Sequence, residues 1–158
     1  MPLVIADTGP INYLILIGRA DLFPQLFGQI VLPNAVLQEL SSEDAPASVR
    51  SWISNPPRWM HFIDSPPTPE MNRIHKGEAA VIALATAMSA DLLLMDDRRG
   101  VRLAKEKGLR VTGTIGILDL AASRGLVEFS QALAHLEKTS FRRPEALLAL
   151  LLEKHKKR

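Results

Sequence analysis

Acidic residues close or open several apolar runs in this chain of 158 residues. Asp7 follows VIA, Glu39 sits in VLQEL, Glu78 opens the run EAAVIALA, and Asp96 and Asp97 follow LLLM. Bringing carboxylates together is costly, because like charges within a few ångström raise one another's pKa. A chain that gathers several at strand and helix ends has a cation to hold. A hard, oxygen-seeking ion such as Mg²⁺ suits such donors, and phosphate-ester hydrolysis is the chemistry it would serve.

Each residue also has a plain structural role open to it. Asp7 can cap a helix, Glu39 can be a solvated helix residue, and Glu78 sits where a carboxylate favours the positive end of the helix dipole. The pair Asp96–Asp97 is harder to explain this way, since one cap needs only one of them. Other chemistries lack parts. Asp7-Thr8-Gly9 imitates the aspartic-protease triplet, but that site needs two such loops in an all-β fold. LLLMDD imitates the metal strand of a P-loop enzyme, yet no GxxxxGK segment is present to cradle phosphates. No GxSxG nucleophile elbow occurs. The chain has no cysteine, which excludes thiolate chemistry and disulfides. His61, His75, His135 and His155 show no ligand spacing.

The elements that must position these groups alternate. LVIAD (3–7) reads as a short buried strand. INYLILIGRADLFPQLF has helical spacing, with breaks expected near Gly18 and Pro24. QIVLP (29–33) is a second strand, and Pro33 can start the helix that carries Glu39. A helix is expected around Val49–Ile53 and a third strand at Trp59–Ile63. SPPTPE is a turn. MNRIHKGEAAVIALATAMSA is the clearest helix, rich in Ala and Leu. DLLLMDD is a strand, RRGVRLAKEKG an amphipathic helix, LRVTGT another strand and IGILDLAASRG a helix. VEFSQALAHLEKTSF and PEALLALLLEKHKKR are two more helices. Short buried strands alternating with helices predict a parallel sheet covered on both faces. In such sheets functional groups gather beyond the carboxyl ends of the strands. Asp7 and Asp96–Asp97 fall there.

Hydrophobic residues make up 47% of the chain and charged residues 23%, as in soluble globular proteins. No apolar run reaches the roughly 20 residues of a membrane helix, so a cytoplasmic protein without membrane contact is expected. The net charge is only +2. Its distribution says more. Arg98, Arg99, Arg102, Lys105 and Lys107 follow the acidic pair, Arg142 and Arg143 come later, and the chain ends KHKKR. Acidic groups able to hold a metal, with basic groups nearby, suit a phosphodiester substrate. Arg98, Arg99 and Arg102 are the candidates for backbone phosphate.

Together, VIADTGPINYLILIG, LPNAVLQEL, GEAAVIALA and LLLMDDRRGVRLAKEKGLRVTGTIGIL resemble a PIN domain. The resemblance is to the small prokaryotic group DUF3368, related to VapC-type toxins, and covers roughly residues 3–125. It implies a three-layer α/β/α fold with a central, mostly parallel sheet. It also implies a ribonuclease dependent on Mg²⁺ or Mn²⁺. By position, Asp7, Glu39, Glu78 and one or both of Asp96 and Asp97 match the acidic set, and Asp7, Glu78, Asp96 and Asp97 are the expected metal ligands. The run DRR favours Asp97 as the equivalent of the last acidic residue, with Asp96 left open. Thr8 and Asn12 match small polar positions beside the first Asp, with a place in the substrate site. Met95 stands where the family often has Ser or Thr.

A single PIN-like domain over 1–158 is expected, with a core at about 3–125 and C-terminal helices at about 128–155. RNA, a second copy of the chain and a small antitoxin protein are the expected partners. Leu147, Leu148, Leu150, Leu151 and Leu152 form an apolar band that can dock on the core, pair with another copy or bind such an inhibitor. The alternative function is a catalytically inactive module that binds RNA or protein.

Overall fold

Val4, Ile5 and Ala6 are fully buried, and three such residues in a row need apolar cover on both sides. They form β1 (Val4–Ala6) at the centre of a five-stranded sheet. The structure, a computed structural model, describes residues 2–66, 76–142 and 144–156. The chain runs β1, α1 (Thr8–Leu16), α2 (Leu22–Phe27), β2 (Ile30–Pro33), α3 (Asn34–Ser41), α4 (Ala47–Ile53) and β3 (Met60–Ile63). It continues with α5 (Lys76–Ala87), β4 (Leu92–Leu94), α6 (Arg98–Glu106) and β5 (Val111–Thr112). It ends with α7 (Thr114–Ser123), α8 (Phe129–Glu137) and α9 (Glu145–Lys156).

The strand order is β3-β2-β1-β4-β5, and every pairing is parallel. The expected sheet was mostly parallel; among the described residues it is wholly so. Ile5 pairs with Val31 on one side and Leu93 on the other. The chain winds outward from β1 to β3, then returns to lay β4 against the free side of β1. That reversal makes a topological switch point between β1 and β4, where such sheets open a crevice at their carboxyl ends. Helices flank the sheet: α1 packs on α3, α4 and α7, and α5 packs on α3 and α6.

Several boundaries differ from the sequence expectation. The break expected near Gly18 is there, and that residue's φ of +73° suits one without a side chain. Pro24 does not break α2; it lies in the first turn, where its missing N–H has no partner to lose. Trp59 precedes β3 rather than opening it. β4 stops at Leu94, two residues before Asp96. β5 has only two residues, and Thr114 of the expected strand LRVTGT is instead the first residue of α7. His75, Arg143, Lys157, Arg158 and residues 67–74 of the proline-rich turn and helix start lie outside the described residues. Among the described residues no helix is long and apolar enough to cross a membrane.

The apolar band of α9 divides. Leu148 is buried and Leu151 packs against the core, while Leu147, Leu150 and Leu152 are exposed. At the far end, Lys154 Nζ and His155 Nε2 each lie 2.8 Å from Asp119 Oδ1 of α7. The His155 ring rests on Phe129 at 4.8 Å between centroids. Leu148→Ala is therefore expected to lower stability by about 2–5 kcal/mol, whereas Leu150→Ala stays within about 0.5 kcal/mol of wild type. Urea unfolding of both variants checks this. Equal effects would show that α9 is not docked through Leu148.

Candidate active site

The carboxyl ends of β1 and β4 bring the acidic groups into one neighbourhood. Asp7 follows β1 directly, and its N–H donates to Leu94 O of β4 at 2.8 Å. It holds the N-cap position of α1, but its side chain accepts no capping bond. The residue is only 4% exposed, and Oδ1 is buried without a hydrogen-bond partner. Burial pushes its pKa up to about 7; the Thr8 N–H works against this, and the charges of Glu39, Asp96 and Asp97 add to it. Burial without a partner disfavours the ionised form.

Glu39 arrives from α3 and accepts a hydrogen bond from Thr8 Oγ1 at 2.7 Å. Asn12 lies one turn along α1 from Thr8, on the same side of the helix and half-buried. Glu78 comes from the first turn of α5. Its Oε2 is buried without a hydrogen-bond partner. Its pKa is pushed up to about 9, first by burial, then by the hydrogen bond it shares with Asp97 and by the charges of Asp7, Asp97 and Glu39. Asp97 is shifted the opposite way. The Glu78 hydrogen bond lowers it most, with further help from the Gly100 and Arg99 N–H groups and the Arg99 charge, against some burial. Their hydrogen bond thus pushes the two carboxyls in opposite directions, Glu78 up and Asp97 down.

Asp96 and Asp97 part company because β4 has already ended. Asp97 caps α6, with Oδ2 accepting from Gly100 N at 3.0 Å. Asp96 turns to α7, where Oδ1 accepts from Thr114 N at 2.7 Å and Oδ2 from Thr114 Oγ1 at 2.6 Å. Burial raises the Asp96 pKa while both Thr114 bonds oppose the rise. Thr114 is fully buried and was not singled out from the sequence. Its signal was a Gly-Thr pair after the last strand, which also reads as more strand. Gly100 shows how tightly α6 approaches: a Cβ there would lie 2.6 Å from Met95 Sδ and 2.9 Å from Glu78 Oε2.

Arg98, Arg99 and Arg102 are exposed along α6. Arg98 and Arg102 share one side of the helix, four residues apart, and Arg99 is near enough to influence Asp97. Among the described residues, no three His, Asp or Glu side chains form a ready metal-ligand group. In donor type the site nevertheless fits an oxygen-seeking divalent ion. Asp7 Oδ1 and Glu78 Oε2 are buried oxygens without hydrogen-bond partners, and a cation would relieve the repulsion around them.

These shifts carry a stability consequence. A carboxyl whose folded pKa is raised takes up a proton on folding, so its contribution to stability is full below its unfolded pKa and is lost as pH rises through the folded value. For Asp7 that window runs from 3.8 to about 7, and for Glu78 from 4.5 to about 9. In EDTA, the melting temperature is expected to climb as pH falls from 9 to 5. Asp7→Asn should raise it at pH 8 by about 2 °C or more. Thermal melts across that range check both; a melting temperature that falls toward pH 5 would contradict the burial of these carboxyls.

The family model DUF3368, described as a PIN domain, matches residues 3–157. No curated protein matches the chain. PIN domains are generally nucleases and typically use divalent metal ions. The three-layer arrangement, with an all-parallel sheet and acidic residues at its switch point, agrees with that match. The chain belongs to the PIN-domain family.

Proposed function

We propose that the protein is a ribonuclease that cleaves RNA within the chain and depends on Mg²⁺ or Mn²⁺. The observation that carries this reading is the pair of buried oxygens without hydrogen-bond partners, Asp7 Oδ1 and Glu78 Oε2, at the switch point of a PIN-domain sheet. Asp7, Glu78 and Asp97 would hold the ion, with Glu39 beside them. The ion, when bound, supplies Lewis-acid activation of water and of the scissile phosphate.

The chain's own residues do the rest. Thr8 Oγ1 holds the Glu39 carboxylate in place, and Asn12 lines the same side of α1. Glu78 would hold the cation in its ionised form, since carboxylate ligands must be deprotonated. Arg98, Arg99 and Arg102 present guanidinium groups to the RNA backbone, a geometry suited to phosphate oxygens. No cysteine is present, and no serine–histidine machinery is needed, because water is the nucleophile. In this reading the protein acts in the cytoplasm. As the toxin of a toxin–antitoxin pair it would be restrained by a small protein, and the exposed Leu147 and Leu150 of α9 offer apolar contact to that inhibitor or to a second copy.

A second reading, a PIN module that binds RNA without cutting it, draws on one observation: no ready three-ligand group among the described residues. Cleavage of mixed RNA in Mn²⁺, Mg²⁺ or EDTA separates the two. Cleavage is expected only with metal, and Asp7→Asn or Asp97→Asn should slow it about 100-fold or more, the scale of a lost charge-stabilising group. Undiminished cleavage in EDTA or in Asp7→Asn would sink the nuclease assignment. RNA binding without cleavage under every metal condition would establish the second reading. Arg98→Ala and Arg102→Ala should each weaken RNA binding and lower the salt slope by about 1.

A further inference from the structure

Asp96 and Asp97 are neighbours in sequence and both follow β4, yet their side chains have different occupations. Asp97 is exposed and caps α6, its Oδ2 accepting from Gly100 N at 3.0 Å. Both oxygens of Asp96 are engaged by one buried residue, Thr114, at 2.7 Å from its N–H and 2.6 Å from its hydroxyl. Such charge-assisted bonds are short and about twice as strong as neutral ones. The space around the carboxylate is also filled. A Cβ on Gly113 would come within 2.6 Å of Asp96 Oδ1, and one on Gly9 within 3.0 Å of Oδ2. Asp96 is thus wedged between the entry to α7 and the first turn of α1, two residues beyond Asp7. A side chain at position 113 would force the carboxylate to shift, and one at position 9 would crowd it.

We propose that Asp96 is a positioning residue rather than a cation ligand: with Thr114 it clasps the start of α7 to the end of β4 and so fixes Asp7 and Asp97 on either side. This deepens the metal-dependent nuclease reading and rests on it. The Asp96 oxygens point their charge at the α7 entry, where the helix dipole is positive. The Asp97 carboxylate, one residue on, is left facing Glu78. The glycine at 113 then leaves room for the clasp.

The substitution Asp96→Asn tests this sharply. An amide keeps both bonds, with Oδ1 accepting the Thr114 N–H and Nδ2 donating to Thr114 Oγ1, but it removes the charge a ligand would need. Two quantities are read on the full chain: backbone hydrogen exchange at the first turn of α7 in EDTA, and the Mn²⁺ concentration giving half of the thermal upshift. Thr114→Ser should leave both close to wild type, and Asp96→Asn, which keeps the two bonds without their charge assistance, should speed exchange less than Asp96→Ala and keep the Mn²⁺ response. Asp96→Ala and Thr114→Val should speed exchange and raise the Mn²⁺ midpoint about 10- to 100-fold, the scale of lost support around a metal ligand. Asp97→Asn should leave α7 exchange unchanged and abolish the Mn²⁺ response. If Asp96→Ala does not fold, the Thr114→Ser and Thr114→Val pair carries the same contrast. An Asp96→Asn variant that loses the Mn²⁺ response with α7 exchange intact would make Asp96 a ligand and overturn the proposal. A wild-type Mn²⁺ midpoint in Thr114→Val would overturn it as well. A wild-type protein blind to Mn²⁺ removes the nuclease reading itself. An intact exchange contrast would then leave the clasp purely architectural and refute its positioning role.

Discussion

Asp7 is almost wholly withdrawn from water, and the charges nearest to it that shift its pKa carry its own sign. Like charge works against bringing these groups together, and the Glu78–Asp97 hydrogen bond offsets only part of it. The sheet backbone holds them. β1 and β4 pair in register from Val4 with Leu92 to Ala6 with Leu94, and the bond from Asp7 N to Leu94 O extends that ladder one residue further. The offsetting free energy is apolar. Val4, Ile5, Leu93 and Leu94 are buried without exposure above 1%, and each such side chain contributes about 1.5–3 kcal/mol. The strand order matters for the same reason. Only a return of the chain to the inner strand places two carboxyl ends, with their acidic residues, side by side.

Helix starts supply the compensating charge. Asp7 stands at the N-cap of α1, Glu78 in the first turn of α5 and Asp97 at the N-cap of α6, while Asp96 accepts from the first residue of α7. Four positive dipole ends therefore meet the acidic groups. The compensation is uneven. Asp96 and Asp97 accept backbone N–H bonds from their helices, whereas Oδ1 of Asp7 and Oε2 of Glu78 remain buried without hydrogen bonds. The fold thus sorts one set of carboxylates into two kinds. Some are consumed in holding helices to strands, and others keep an oxygen with nothing bonded to it.

Much of this was legible in the residues. The alternation of apolar runs and Ala- and Leu-rich segments gives the layers, and the acidic stops give the neighbourhood, because parallel strands end where their helices begin. What was not legible is where pairing stops. LLLMDD reads as one continuous strand, but β4 lasts only as long as its partners β1 and β5, which are three and two residues long. The directions of Asp96 and Asp97 follow from that early end and not from strand alternation. Thr114 was hidden by the same ambiguity, since a second threonine two residues after Thr112 looks like more strand. Pro24 misled because a proline's effect depends on its place in a helix, and that place depends on where Gly18 ends the one before.

The site depends on its strands being short. A longer β4 would carry Asp96 and Asp97 within the ladder, where successive side chains face opposite sides of the sheet, and one of the two would be driven into the apolar layer. Ending the strand at Leu94 frees both to rotate toward helix starts. Met95 then does what the strand no longer can: it is buried, its N–H donates to Thr112 O at 3.1 Å, and its side chain fills the space below Gly100. A hydroxyl residue at that position would add a polar group to the site but lose this packing. In this chain the polar support comes from Thr114 instead, across the crevice and from a different helix.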